Sequence, residues 1–446
     1  MASSVVGILP APTRRTLLDR CLLLFSDVHE GEGLGVLLLA ANVFLLLGTY
    51  YILKTIREPL ILSQPGGAET KSYAAAAQTL VFALMLPVYG KIASRFNRMR
   101  LIATTTIFFI LNLAAFFVLG MAHVGIGVAF YIWVGVFNMF VVAQFWSFAN
   151  DLYTEEQGKR LFPIAGVGAS LGACVGAFFA KWLFGHFNAY EMMAIASILL
   201  AGYLGITFGV NRRESGRANA AGSKRAAEPL DRKGGFQLIL RERYLLLIAM
   251  AILLLNLVNT NGEYIVSRFV AESAAHLAKA EQGKFIGQFY GDYFTWVNVL
   301  GLAMQTFLVS RLFRWIGIGG ALFVLPAISL TGYSLLAFAP VLGVIRGVKI
   351  FENSTDYSLN NTVRHALFLP TSREAKYKAK AATDTFFVRG GDVLSAGCVF
   401  LGTRWLALNV PKMALLNTVL VLVWIALAFQ IRRRHAHLTP QAEPRP

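Results

Sequence analysis

Charge is what this sequence is poorest in. Only 15% of its 446 residues are Asp, Glu, Lys or Arg, where a soluble domain carries about 25%, so water is not the solvent of most of its surface. Cysteine is scarce too: Cys21, Cys174 and Cys398 lie far apart, the last two in apolar stretches, which leaves neither a disulfide framework nor a zinc ligand set. All three read as core or lipid-facing residues. Also missing are a phosphate-binding Walker loop, a paired-histidine metal motif and a nucleophile elbow. Without them an ATP-driven pump or an intramembrane hydrolase lacks its catalytic parts. The expectation is a non-enzyme with no cofactor and no metal. Acidic residues number 24 against 41 basic ones. The excess lies mostly in alternate loops, a mark of membrane topology, and no nucleic acid partner is expected.

What the chain has is apolar length. It is 56% hydrophobic with 34 Phe and 40 Gly, and its mean hydropathy is +0.57. At 1.5 Å per residue, crossing about 30 Å of hydrocarbon takes about 20 residues. Segments of that length lie near 35–57, 72–92, 101–121, 125–149, 162–184 and 189–211, then near 244–267, 286–310, 317–338, 341–361, 381–402 and 410–431. The fold class expected is all-α, a polytopic membrane protein of about twelve transmembrane helices in two six-helix halves. Residues 1–34 form an N-terminal segment with an amphipathic helix, Leu17, Leu18, Cys21, Leu22 and Phe25 on one side, lying against anionic lipid. Arg14 and Arg15 have the look of a twin-arginine export signal, but Asp19 and Arg20 interrupt the apolar run that should follow. The bundles are 35–211 and 244–431, joined by a basic linker at 212–243 and followed by a basic tail at 432–446.

One set of loops carries Lys91, Arg95, Arg98, Arg100, Lys159, Arg160, the linker, Arg311, Arg314, Arg373, Lys376, Lys378, Lys380 and Arg432 to Arg434. The loops near His123 and Pro340 carry no Lys or Arg, so the positive-inside rule puts both termini in the cytoplasm of a plasma (inner) membrane. Two such halves describe the major facilitator architecture, with a central cavity at mid-membrane. Its short signature appears in part at Gly90 to Arg100, with Ser94 where an acidic residue is usual. The halves echo one another. Phe148-Ala149-Asn150-Asp151 and Ser358-Leu359-Asn360-Asn361 each end a fourth helix before a basic loop and a glycine-bearing one.

Ionisable groups inside a span cost several kcal/mol unless they face protein or water, so each is a candidate site residue. Lys54, Arg57 and Glu58 share a face of the first span, where a salt bridge and a free cation can coexist; the bland alternative is snorkelling to headgroups before Pro59. In the tenth span Arg346, Lys349, Asn353 and Asp356 make one polar stripe with Glu352 beside it. Two cations there would draw a multivalent anion, and the acids would pair with them when the site is empty; the alternative is an internal charge network. The seventh span offers Asn256, Asn259, Asn261 and Glu263, with Gly262 as a bend, and the eleventh offers Asp384, Arg389 and Asp392 around Gly390-Gly391, another flexible point. Trp133, Asn138, Gln144 and Trp146 in the fourth span are groups that could contact a ring, or anchors at the interface. Gly168, Gly172 and Gly176, spaced by four, favour close helix packing.

Several stretches resemble the ATP/ADP translocase (nucleotide transporter) family of plastids and intracellular bacteria. Tyr51-Ile52-Leu53-Lys54-Thr55-Ile56-Arg57-Glu58 is similar to its first helix and Gly66-Gly67-Ala68-Glu69 to the following loop. Phe145 to Asn150, Lys159 to Pro163 and Gly166 to Ala169 resemble its fourth and fifth helices. Tyr357-Ser358-Leu359 and Lys378 to Asp384, with Arg389 and Gly391, resemble its C-terminal part. The resemblance implies exchange of ATP for ADP, or nucleotide import with protons. Lys54, Arg57, Lys380 and Arg389 match the family's cations in kind. By the resemblance, Ala75 stands near a family lysine, Val134 or Gly135 near an acidic residue, Asn259 at an acidic site, and Asp356 at a lysine, a charge reversal.

The expected function is a secondary active transporter of a small anionic solute, a nucleotide or related phosphorylated metabolite, working in the inner membrane by exchange or proton coupling through alternating access. Lys54, Arg57, Asn138, Gln144, Arg346, Lys349 and Arg389 are its expected substrate contacts, with Glu58, Glu263, Glu352, Asp356 and Asp384 as proton or charge-pair sites. Its partners would be a small anionic solute, membrane lipid and protons, and the chain would act as a monomer. A proton-coupled carrier of a peptide, siderophore or drug is the second reading. The third is a non-transporting receptor working through its linker.

Overall fold

The computed structural model describes residues 27–29, 31–93, 96–218, 235–372 and 374–438. The amphipathic helix expected at 17–25 with Cys21, the linker at 219–234, Arg95, Arg373 and the tail beyond Leu438 lie outside them. Within them all regular structure is helical. In the first half run α1 (Gly33–Leu62), α2 (Gly67–Ala93), α3 (Arg98–Met121), α4 (Gly127–Leu152), α5 (Glu155–Leu183) and α6 (Ala189–Ala218). A short α7 (Gly235–Arg241) precedes α8 (Arg243–Ala275) and α9 (Lys279–Ala303), which passes through a π-turn at Met304–Leu308 into α10 (Val309–Ala321). Then come α11 (Val324–Phe338), α12 (Leu342–Thr355), a π-turn at Asp356–Asn360, and α13 (Asn361–Leu367). Two more π-turns, Ala375–Ala379 and Thr383–Phe387, lead into α14 (Val388–Arg404), and α15 (Val410–Leu438) closes the second half.

Among the described residues nine helical stretches are long and apolar enough to cross a bilayer, Lys279–Ala321 being one. With α2, the 15-residue α11 and the polar α12, they make twelve passes. Local chemistry sets the helix ends. Thr154 and Gln157 close a capping box at the start of α5, and the Asn97 side chain accepts from the Arg100 amide to start α3. Gly66, with φ of 67°, makes the tight turn between α1 and α2.

Boundaries differ from expectation where the sequence is polar. The second pass begins at Gly67 rather than 72, which brings Glu69 and Lys71 into it. The expected ninth span at 317–338 is broken: Gly317 has non-helical φ/ψ (64°, 179°), and the helix proper starts at Val324. Gly262 does not bend the seventh pass, since α8 is one helix of 33 residues. The glycine instead makes room, because a Cβ there would collide with the Tyr333 hydroxyl and approach Lys349 Nζ. Gly391 likewise sits inside a continuous helix, pressed against the α8 backbone at Leu253 and Leu257.

Each half has a core of its own. One apolar cluster is drawn wholly from residues 28–210. The other comes from residues 239–431, joined across the interface by Tyr51, Ile61, Leu62, Ala68, Ala74, Tyr131, Ala173 and Ala177. The glycine stripe behaves as its spacing implies: a Cβ on Gly168, Gly172 or Gly176 would lie under 3 Å from the α1 carbonyls of Ala40, Phe44 and Gly48. Dispersion between close backbones, not the hydrophobic effect, holds such helices together in lipid. Gly172→Leu should therefore lower stability by about 1–3 kcal/mol or more, read as a lower melting temperature in detergent; an unchanged melting point would contradict this packing.

The start of α1 is tied to the start of α5. Arg160 pairs with Glu32 at 3.0 Å, Gln157 donates to the same carboxylate at 3.1 Å, and the His29 amide donates at 3.0 Å. Partial burial pushes the Glu32 carboxyl up, but the bonds from Arg160, His29 and Gln157 outweigh it, and its pKa falls below the usual 4.5. A depressed carboxylate stabilises the fold above its unfolded pKa and stops doing so as pH falls through the folded value. Acidifying below 4.5 should therefore remove a share of stability that Glu32→Gln lacks at every pH. Parallel pH–melting curves for the two proteins would refute this.

Candidate functional site

Where the two halves meet, cations from both lie against aromatic faces. From α1, Lys54 Nζ lies 4.2 Å from the ring centre of Phe294 on α9 and 5.1 Å from that of Tyr51. The Arg57 guanidinium lies 4.5 Å from the Tyr131 ring of α4. From the other half, Arg389 on α14 lies 4.6 Å from the Phe82 ring of α2. Such contacts contribute about 0.5–2 kcal/mol each and hold a cation without neutralising it.

Acids then pair with these cations selectively. Glu58 is fully buried and is held by Arg57 Nε at 2.9 Å and Lys71 Nζ at 2.6 Å. Lys71 also donates across the interface to Ser267 Oγ of α8 at 2.9 Å. Arg389 pairs with Asp392 at 3.2 Å, which also accepts from Thr260 at 2.8 Å. For Lys54, no carboxylate of the described residues lies within salt-bridge distance. The α1 face thus does combine a salt bridge with a free cation, although the bridge uses Arg57 and Lys71.

The stripe on α12 behaves otherwise. Lys349, expected to contact an anion, has a side chain only 1% exposed; it donates to Glu352 Oε2 and Asn259 Oδ1, both at 2.6 Å. Glu352 in turn accepts from Ser329 and Tyr333 at 2.8 Å. That corrects the reading of Lys349 as a substrate contact: a fully bonded, neutralised ammonium inside one half is an internal network. Asn353 donates to Glu263 Oε1 at 2.9 Å, as does Tyr293 at 3.0 Å; Glu263 remains 26% exposed. Asp356 accepts from Asn360 at 2.7 Å within the π-turn. Gln144 is also corrected, since it is buried inside the first half and donates to Tyr89 and Thr105 at 3.0 Å. Trp133 stacks there on Phe130 and Phe137. Asn138 is half-buried on the same helix. Asp384 pairs with Arg364 at 2.8 Å and Lys380 at 2.9 Å at the foot of α13 and the eleventh pass.

Residues outside the expected set complete the interface. Asp292 of α9 pairs with Lys181 of α5 at 2.6 Å and with Arg346. Arg268 pairs with Glu69 at 3.4 Å, and Tyr264 donates to Glu69 at 2.9 Å. Asp292 is an ionisable group inside the eighth span, and that alone marks it; Lys71 is hidden by a span drawn to begin one residue later. These cross-half bonds lie at mid-depth or towards the end remote from Arg98, Arg160 and Arg364. At the basic end, the described ion pairs, such as Arg98–Asp151 and Arg160–Glu32, each stay within one half. A cavity of about 250 Å³ opens between the halves beside Tyr51, Ala173, Asn298 and Tyr357.

Residues 321–435 match the family described as TLC ATP/ADP transporter. ADP,ATP carrier protein 1 of Chlamydia trachomatis is 23% identical, covering 91% of this chain and 89% of its own. This chain is similar to the ATP/ADP carriers. The Plastidic ATP/ADP-transporter of Solanum tuberosum is 25% identical over 67% of this chain and 52% of its own length. The chain spans 66% of the Chlamydia pneumoniae carrier, so it covers two thirds or less of several of these relatives. Among solved structures, the nucleoside transporter NupG superposes with a TM-score of 0.62 at 13% identity over 90% of this chain and 98% of its own. A bacterial homologue of the iron transporter ferroportin, inward-facing, gives 0.65 at 13% identity over 89% and 98%. Those likenesses establish the two-bundle fold.

If the pairs remote from the basic end hold that end shut, Asp292→Asn should release Lys181 and Arg346 together. Partly exposed pairs contribute about 1 kcal/mol. A cysteine at Ala68, buried there at 3% exposure, in a background lacking native cysteines, should then react about fivefold faster or more with an impermeant thiol reagent. Unchanged labelling would remove Asp292 from the gate.

Proposed function

We propose that the protein is a secondary carrier of a nucleotide or related phosphorylated anion, working by alternating access in a bacterial-type inner membrane with both termini in the cytoplasm. One observation carries the reading: Lys54, Arg57 and Arg389, from helices of both halves, converge at the interface on aromatic faces instead of being fully neutralised. A cation beside a ring suits a ligand that joins a phosphate to a base, since the phosphate takes charge-assisted bonds and the base stacks. The family's relatives, named as ADP,ATP carriers, support the same substrate class. Sealing by Lys181–Asp292 and Glu69–Arg268 at one end supports a state open towards the basic loops, and on the positive-inside rule that is the cytoplasmic side.

In this mechanism the substrate enters from the basic end, and Lys54, Arg57 and Arg389 take its phosphate oxygens. Contacts from both halves then draw the bundles together at that end, while the remote pairs part. Exchange needs no catalysis, only a bound complex that crosses between states more easily than the empty carrier. Glu263, partly exposed and flanked by Asn353 and Tyr293, is the carboxylate placed to exchange a proton if transport is proton-coupled.

Vesicles containing the purified protein should take up labelled nucleotide against internal unlabelled nucleotide. Arg57→Gln and Arg389→Gln should each cut that uptake at least about tenfold while keeping the native melting temperature within a few degrees. No uptake of any nucleotide, with or without a proton gradient, overturns the proposal. Uptake of a peptide or siderophore in its place would establish the second class of carrier.

A further inference from the structure

The charge balance around the proposed site narrows the substrate class, on the reading just proposed. The cations there, in chain order, are Lys54, Arg57, Lys71, Lys349 and Arg389, the sealed Lys349 being counted because its network reaches Glu263. Against them stand Glu58, Glu263, Glu352 and Asp392, each within salt-bridge distance of one or more of the last four. That leaves one cation in excess, Lys54, and it is the one without a carboxylate. Asp356, a turn nearer the basic end, bonds only Asn360 among the described residues and brings the balance towards zero. The flanking clusters, Lys181, Asp292 and Arg346 at one end and Arg364, Lys380 and Asp384 at the other, are separate groups that can steer an anion but belong to other contacts.

A bound anion must have its charge met where water is thin. One phosphoryl group carries about −1.5 to −2 at neutral pH, which Lys54 together with the free guanidinium edges of Arg57 and Arg389 can satisfy. Each further phosphoryl adds about one more charge, and meeting it would require breaking an existing buried pair such as Arg389–Asp392. We infer that the preferred substrate carries a single phosphoryl group on a ring-bearing body, the nucleoside monophosphate class, with Lys54 as the residue that sets this preference. Phe294 and Tyr51, flanking Lys54, provide the apolar faces for that body. The di- and triphosphates named for the relatives are then the poorer ligands.

The test uses the full-length protein, with thermal shift and competition for vesicle uptake. The probes are the nucleoside, monophosphate, diphosphate and triphosphate of adenine, guanine, cytosine and uracil. The best monophosphate should act at a concentration at least about tenfold lower than its triphosphate. Lys54→Gln should weaken monophosphate by about tenfold or more, leave the nucleoside unchanged and flatten the ranking, while Lys54→Arg restores it. Di- or triphosphate binding as tight as monophosphate, or a ranking indifferent to Lys54→Gln, overturns this inference while leaving the nucleotide carrier standing. No response to any of the probes overturns both.

Discussion

The structure depends on one constraint: a charge at bilayer depth must be met by protein, because the lipid will not meet it. The cations nearest the centre show three ways of doing so. Lys349 is closed into a network with Glu352 and Asn259, Arg57 and Arg389 are half-satisfied by a neighbouring acid, and Lys54 is held against rings alone. The gradation runs from one half's interior out to the interface. Fully matched charge specifies packing, and the unmatched charge lies at the interface, where the proposed site is.

The same logic divides the helices by task. α1 and α5 carry the glycine stripe and approach until backbones touch, so they form a rigid spine for the first half, with Glu32 and Arg160 clamping its basic end. In the second half the foot is held by Asp384 between Arg364 and Lys380, after the same fourth helix of the repeat. Across the interface the contacts are of another kind: ion pairs such as Lys181–Asp292, which has 45% and 19% of its side chains exposed, and hydroxyl bonds. Exposed pairs of that sort contribute little and exchange readily with water, which suits surfaces that must separate. Rigid halves joined by weak, reversible polar contacts can rock as bodies.

The helices were legible in the sequence because apolar length is a local property, and so were the glycine stripe and the cations of the first span. What stayed hidden was pairing. Glu58 could be seen to share a face with Lys54, yet its second partner is Lys71, from a helix whose polar first turn resembled a loop. Lys349 and Asn353 have the same helical periodicity, yet one is sealed by Glu352 and the other faces Glu263, because what packs opposite a residue is not written in its own spacing. Gly262 illustrates the limit in reverse. A glycine amid polar residues looks like a bend, whereas its neighbour in space, Tyr333, needs the room.

One chain of contacts joins the proposed site to the remote gate. Arg57 and Glu58 are adjacent, Glu58 holds Lys71, and Lys71 reaches Ser267 on α8. On the proposed reading, a phosphate on the free edge of the Arg57 guanidinium shares its charge with Glu58, so the carboxylate leans more on Lys71. Drawn towards Glu58, Lys71 has less hold on Ser267, and a cross-half bond weakens at the moment the site fills. A coupling of only 1–3 kcal/mol is enough to redistribute two states that differ by a few kcal/mol. On that reading the occupied carrier is biased to open at the end held by the cross-half pairs, through a shift in the balance of buried ion pairs already present.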